Sequence, residues 1–340
     1  MRTARVLAGF ALIASILATA PTALAASLIP AHVYSPYFET WTTDSLATTA
    51  QQSGAKFLTM AFLETTGKTS CTLAWNGDRT RTIGSGAYAQ DIASLRGLGG
   101  DVIPSFGGWS ADQGGTEIGD SCKNVDSIAA AYQGVVTTYN VTRLDMDIEG
   151  RSLTKTDGID RRNKAIKKLQ DWATGAGRTL TISYTLPTDR NGLPSSSLFV
   201  LQNAYANGVR IDYVTPMVFD YYDRAGTNMY LSAKSAVEGL HGQLTTLFGS
   251  SKTSAQIWAI EGAIIMNGLD DYPRRTESTS VQDAKDLLAL AKLNGMSILS
   301  MWAIQRDHGG CDGVTGANNC SGIPQADWEF STNLNTFTGP

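Results

Sequence analysis

Short apolar runs recur along the chain and alternate with longer amphipathic ones. The runs His32–Tyr37, Phe57–Leu63, Val102–Phe106, Arg143–Ile148, Leu180–Thr185, Tyr213–Phe219, Ile257–Ile264 and Ile298–Ala303 read as eight strands. Between them, residues 126–139 open on Asp126 and Ser127 and place Ile128, Ala131, Tyr132, Val135, Val136 and Tyr139 on one helical stripe. Residues 159–173 set Ile159, Ile166, Leu169 and Trp172 opposite Arg161, Arg162, Lys164, Lys167 and Lys168, a charge run that reads as a solvated helix face. Residues 281–294 stop at Gly295, a helix C-cap signal. Strand and helix in alternation imply a parallel sheet with right-handed crossovers. Eight such units predict an α/β fold, a TIM (β/α)8 barrel, and with no Pro- or Ser-rich linker residues 26–340 are expected to form one domain.

Residues 1–25 change the setting. Arg2 and Arg5, an apolar stretch from Val6 to about Leu17 and the small-residue site Ala23-Leu24-Ala25 read as a secretory signal peptide, so the mature chain is expected outside the cell. No later run reaches the roughly 18 to 20 apolar residues of a membrane span, so no membrane partner is expected once the leader is removed. The net charge of −4 and pI of 5.4 give no basic footprint, which argues against nucleic acid as a ligand. Cys71, Cys122, Cys311 and Cys320 read as two disulfides. The most economical pairing is Cys71 with Cys122 and Cys311 with Cys320, although the count alone allows three connectivities. His32, His241 and His308 are scattered without ligand spacing, so neither a metal site nor a Ser-His-Asp device is expected, and no cofactor is implied. A monomer is expected.

The chemistry concentrates in the fourth strand, Val-Thr-Arg-Leu-Asp-Met-Asp-Ile-Glu-Gly. Side chains two apart on a strand share a face, so Asp145, Asp147 and Glu149 project together while Leu144, Met146 and Ile148 face the other way. Two bland readings compete. A solvated strand face would leave the flanking apolar residues on the surface, and a calcium loop would need a bidentate Glu where Thr156 stands. Residues two apart on a strand have Cα atoms about 6 to 7 Å apart, close enough that ionising one carboxyl raises the pKa of the next, so one of them can stay protonated near neutrality and act as a general acid. Other polar and aromatic residues fall at the C-terminal ends of strands, where a barrel keeps its active site: Ser105-Phe106-Gly107-Gly108-Trp109, Asp220-Tyr221-Tyr222, and Trp302 with Gln305 and Arg306. Aromatic faces around carboxyls suit pyranose rings, so carbohydrate is the implied substrate.

With those residues in place, the chain resembles glycoside hydrolase family 18, the retaining chitinases. The resemblance rests on Asp145-x-Asp147-x-Glu149, Ser105-x-Gly107-Gly108 and Met217-x-x-Asp220, in that family's order, and extends from about His32 to Trp302. It implies a secreted endo-acting chitinase that hydrolyses β-1,4 linkages between N-acetylglucosamine units of chitin or chito-oligosaccharides. Glu149 is the implied acid and base, Asp147 orients the N-acetyl group that attacks the anomeric carbon, and Asp145 shares a proton with Asp147. Asp220 and Met217 belong to the implied substrate-binding set, with Trp302 as the floor of the −1 subsite and Trp109 as a further platform. The alternatives are an endo-β-N-acetylglucosaminidase acting on N-glycans and a non-catalytic chitin-binding lectin; retention of Glu149 speaks against the lectin. Two departures stand out. Thr142 and Arg143 occupy positions where the family has Asp-Gly, and Phe219 replaces a Tyr whose hydroxyl Tyr184, Tyr221 or Tyr222 would have to supply, with Tyr221 favoured.

Overall fold

A computed structural model describes residues 26–222, 228–271 and 277–339 of the chain; the expected leader at residues 1–25 lies outside them. Eight strand positions form a closed parallel ring. Pro36, with no backbone N–H to give, splits the first position into Val33–Tyr34 and Tyr37–Glu39. The first half pairs with the last barrel strand, Ile298–Trp302 (Val33 beside Ile298), and the second with Phe57–Thr65 (Tyr37 beside Thr59), which closes the barrel. Asp101–Gly107, Arg143–Asp147, Thr181–Pro187, Tyr213–Met217 and Gly262–Met266 complete it in chain order. The strands are buried almost throughout because the barrel fills one face and helices cover the other.

The covering helices follow the expected stripes, with local differences. Val125–Tyr139 is capped by Asn124, whose side chain accepts from the Ser127 N–H, so the helix begins one residue before Asp126. Val281–Asn294 ends at Gly295 in the left-handed region (φ 70°), as its C-cap signal implied. Thr156–Gly175 departs from its reading as a simple solvated face. Arg162 is 1% exposed and its guanidinium meets Glu117 at 2.6 Å, so one charge of the run turns inward. The apolar run Ile257–Ile264 is split as well. Thr253 and Gln256 form a capping box that starts the helix Ser254–Trp258, and the strand begins only at Gly262.

Both disulfides take the economical pairing. Cys71–Cys122 bridges a separation of 51 residues and Cys311–Cys320 one of 9. Among the described residues no helix is long and apolar enough to cross a membrane.

Candidate active site

The parallel register sets the site in layers. Asp145 lies level with Ser105 and Ser183 on the neighbouring strands, and Asp147 lies level with Gly107 and Thr185. Two glycines let the strands meet there. A Cβ on Gly107 (φ 99°) would lie 2.1 Å from the Asp147 carbonyl oxygen, and one on Gly108 (φ 81°) would lie 2.5 Å from the Phe62 ring. The Gly108 N–H donates to that same Asp147 carbonyl at 3.1 Å, tying the Ser-Phe-Gly-Gly segment to the carboxyl strand.

The three carboxyls of the row have different surroundings. Asp145 accepts from Tyr37 Oη (2.9 Å) and Ser105 Oγ (2.6 Å) on one oxygen, and from Ser183 Oγ (2.7 Å) and Thr185 Oγ1 (2.9 Å) on the other. Burial raises its pKa while those hydroxyls oppose the shift. Asp147 is 3% exposed and its Oδ1 has no hydrogen-bond partner. Burial, then the charges of Glu149, Asp145 and Asp112, push its carboxyl well above the usual range. Glu149 is only partly buried and stands at the cleft. Burial and the charge of Asp220 push it up to about 7, against a backbone hydrogen bond from Trp109. A carboxyl with that value is poised to give a proton near neutrality and take one back.

Asp147 and Glu149 open on a cleft of about 670 Å³ at the C-terminal end of the barrel, with Asp145 beneath them. Trp302 and Phe62 stack at 5.5 Å and 12°, with Trp41 and Tyr37 packed beside them, giving an aromatic floor. Trp109, 61% exposed, stands on the rim near Glu149 and Gly150. Met217 and Asp220 line the cleft too. Asp220 has a φ of 51°, its N–H donates to Asp270 Oδ2 at 2.9 Å, and its carboxyl is pushed up to about 7 by burial and Asp271, with a hydrogen bond from Tyr222 opposing.

The structure therefore brings Asp145, Asp147, Glu149, Met217, Asp220, Trp109 and Trp302 together, but two expected residues lie elsewhere. Tyr184 points away from the barrel interior, fully buried, and donates to Asn163 Oδ1 at 2.8 Å on the helix Thr156–Gly175. Its neighbours Ser183 and Thr185 have the opposite strand parity and reach Asp145 instead. Tyr221 is 9% exposed and packs into the core with its ring 4.5 Å from the Arg190 guanidinium. The tyrosine of that segment that lines the cleft is Tyr222, beside Phe219. Trp41, which the sequence leaves open between sugar platform and barrel packing, joins the cleft, and nothing in the sequence pointed to Phe62, near the C-terminal end of the second barrel strand, or to Asp112, a fully buried carboxyl whose oxygen accepts from the Glu149 N–H. Among the described residues no cluster of His, Cys, Asp and Glu is arranged to hold a metal ion.

Comparison with known proteins agrees with this geometry. A family profile described as Glycosyl hydrolases family 18 matches residues 33–317. The chain is 34% identical over 290 residues to the "Probable bifunctional chitinase/lysozyme" of Escherichia coli (strain K12), and 34% identical over 291 residues to "Endochitinase 11" of Metarhizium anisopliae. Each alignment covers 82% of this chain, but only 31% and 53% of those proteins. Active domain 2 of a chitinase from Pyrococcus furiosus superposes with a TM-score of 0.80 at 27% identity, covering 92% of this chain and 96% of that one. A structure of that domain was solved with chito-oligosaccharides.

Proposed function

The chain belongs to glycosyl hydrolases family 18, and from that premise we propose that it is an endo-acting chitinase working by substrate-assisted, retaining catalysis. The single observation that carries this reading is the unequal treatment of the carboxyl row: Asp145 saturated by hydroxyls, Asp147 with an orphan oxygen, and Glu149 poised near neutrality at an aromatic cleft. A sugar stacks on Trp302 with its acetamido group toward Asp147. Glu149 protonates the glycosidic oxygen while the acetamido oxygen attacks the anomeric carbon, and Asp147 takes the amide proton's hydrogen bond and steadies the oxazolinium. Glu149, now ionised, draws a proton from water, which opens that ring with net retention. Asp145 fixes the row and shares charge with Asp147. Aromatic side chains spread across the cleft, from Trp109 on the rim to Trp41 and Trp302, support binding of more than one sugar unit and so endo action on chito-oligosaccharides. The Ala23-Leu24-Ala25 boundary and two disulfides support export.

The reading is tested by comparing three pentamers: N-acetylated chitopentaose, its deacetylated counterpart and cellopentaose. The acetamido group is the nucleophile, so only the first is cleaved efficiently. Comparable cleavage of either of the others contradicts the mechanism.

A further inference from the structure

The acid of the site is held by a part of the chain that belongs to none of the three motifs. The Ser-Phe-Gly-Gly turn runs into a short helix, Trp109–Gly114, packed against the turn that follows the carboxyl strand. Positions 109, 112 and 113 share one face of a helix, and all three meet Glu149 or Gly150. The Trp109 N–H gives a hydrogen bond to the Glu149 carboxyl. The Glu149 N–H gives one back to Asp112 Oδ2. Gly150 leaves space that Trp109 and Gln113 fill: a Cβ there would lie 3.4 Å from the indole of one and 2.4 Å from the amide of the other.

Asp112 is an unusual residue to find in this place. It is 0% exposed, and its Oδ1 has no hydrogen-bond partner. Behind it stands the buried pair Arg162 and Glu117. The segment that carries it is anchored in turn. Asp120 accepts from Ser152 Oγ at 2.6 Å and pairs with Lys155 at 3.0 Å, and Cys122 is bonded to Cys71. A buried carboxyl of this kind costs stability, and a hydrophobic residue of similar size would fill the volume without that cost. What a hydrophobic residue would lack is an acceptor for the one N–H that sets the backbone of the acid.

We propose that Asp112 is a positioning residue, which fixes Glu149 for proton transfer through the Glu149 backbone N–H, and that Trp109 and Gln113 complete the clasp. The proposal rests on the reading of Glu149 as the acid. It separates Asp112 from the Arg162–Glu117 pair behind it, whose part is structural. Misplacing a catalytic group by about 1 Å costs up to about 100-fold in rate, so the clasp acts mainly on kcat.

The test uses the full chain with chitopentaose and five proteins: wild type, Asp112→Asn, Asp112→Ala, Glu149→Gln and the double variant Asp112→Ala/Glu149→Gln. Asp112→Asn keeps an acceptor oxygen and retains kcat within about threefold. Asp112→Ala removes it and lowers kcat by about 10- to 100-fold, with KM and the bound fraction in a titration with chitopentaose little changed. Combining Asp112→Ala with Glu149→Gln adds no further loss, because the residue acts only through the acid. Two results overturn the proposal: equal kcat in wild type and Asp112→Ala, or equal losses in the Asn and Ala variants with full additivity on Glu149→Gln. If Asp112→Ala does not fold, Asp112→Asn and its double variant with Glu149→Gln carry the test, and a large additive loss there overturns it. A wild type that leaves chitopentaose intact, by contrast, contradicts the proposed function itself.

Discussion

Asp145 and Asp147 stand two residues apart on one strand, in adjacent layers of the same barrel, and the protein treats them in opposite ways. The layer of Asp145 is closed: Tyr37, Ser105, Ser183 and Thr185 converge on its two oxygens, and no other side chain is needed. The layer of Asp147 and Glu149 is open. It carries an orphan oxygen, exposed indoles and, at Asp147, a raised pKa that no hydroxyl opposes as four oppose that of Asp145. Polar groups inside a fold are normally satisfied, and those that are not mark where a ligand completes the set. The lower layer builds the geometry, and the upper one spends it on substrate.

Mutating each layer separates those two jobs. Asp145→Ala strips the acceptor from four hydroxyls and is expected to cost about 3 kcal/mol in urea unfolding, with activity lost alongside. Asp147→Asn is expected to cost nothing in the same assay and to lower kcat at least 100-fold. The sign follows from burial: the folded pKa of Asp147 is raised, so below the unfolded value the proton adds stability, and as pH rises past it the folded state must pay for ionisation. An amide avoids that cost near neutrality. Equal destabilisation by both changes would erase the contrast between the layers.

The pH profile sharpens the comparison further. Glu149 must be protonated to act as the acid, and its pKa is pushed up to about 7. The rate kcat/KM should therefore fall about tenfold per pH unit above about 7 and hold steady below it until the carboxyls that must stay ionised take up protons. An alkaline limb near 5 would mean that the upper layer does not shift its acid.

A smaller effect is expected at Tyr222. Its hydroxyl bonds Asp220 at the cleft where Phe219 offers none, so Tyr222→Phe should lower kcat about three- to tenfold with little change in melting temperature, read from steady-state rates and a thermal melt. Tyr221→Phe, changed in the core, should leave kcat unaltered.

Much of this was legible in the amino-acid order, and the misses have physical causes. The barrel strands announce themselves because burial on both faces demands near-continuous apolar runs, and the alternating carboxyls stand out because a packed strand face rarely carries three. Ile257–Ile264 misled because a capped helical turn and the start of a strand share one apolar run, and capping at Thr253 decides between them. Arg162 looked solvated because helical periodicity does not show a partner on another segment; Glu117 is 45 residues away. Tyr184 was decidable from strand parity, since Ser183 and Thr185 have the parity that reaches Asp145. Tyr221 and Tyr222 were not, because they lie beyond the strand's end at Met217, where the positive φ of Asp220 resets the alternation. Asp112 had no signal beyond its i, i+3 spacing from Trp109.

Catalysis turns on Glu149, and the most direct measurement is the hydrolysis of chitopentaose by wild type and Glu149→Gln, with products resolved by mass and anomer. Internal cleavage to β-anomeric products by the wild type is expected, with a loss of about 100- to 10,000-fold in the variant and oligosaccharide binding intact. Normal turnover in Glu149→Gln, or α-anomeric products from the wild type, would contradict this mechanism.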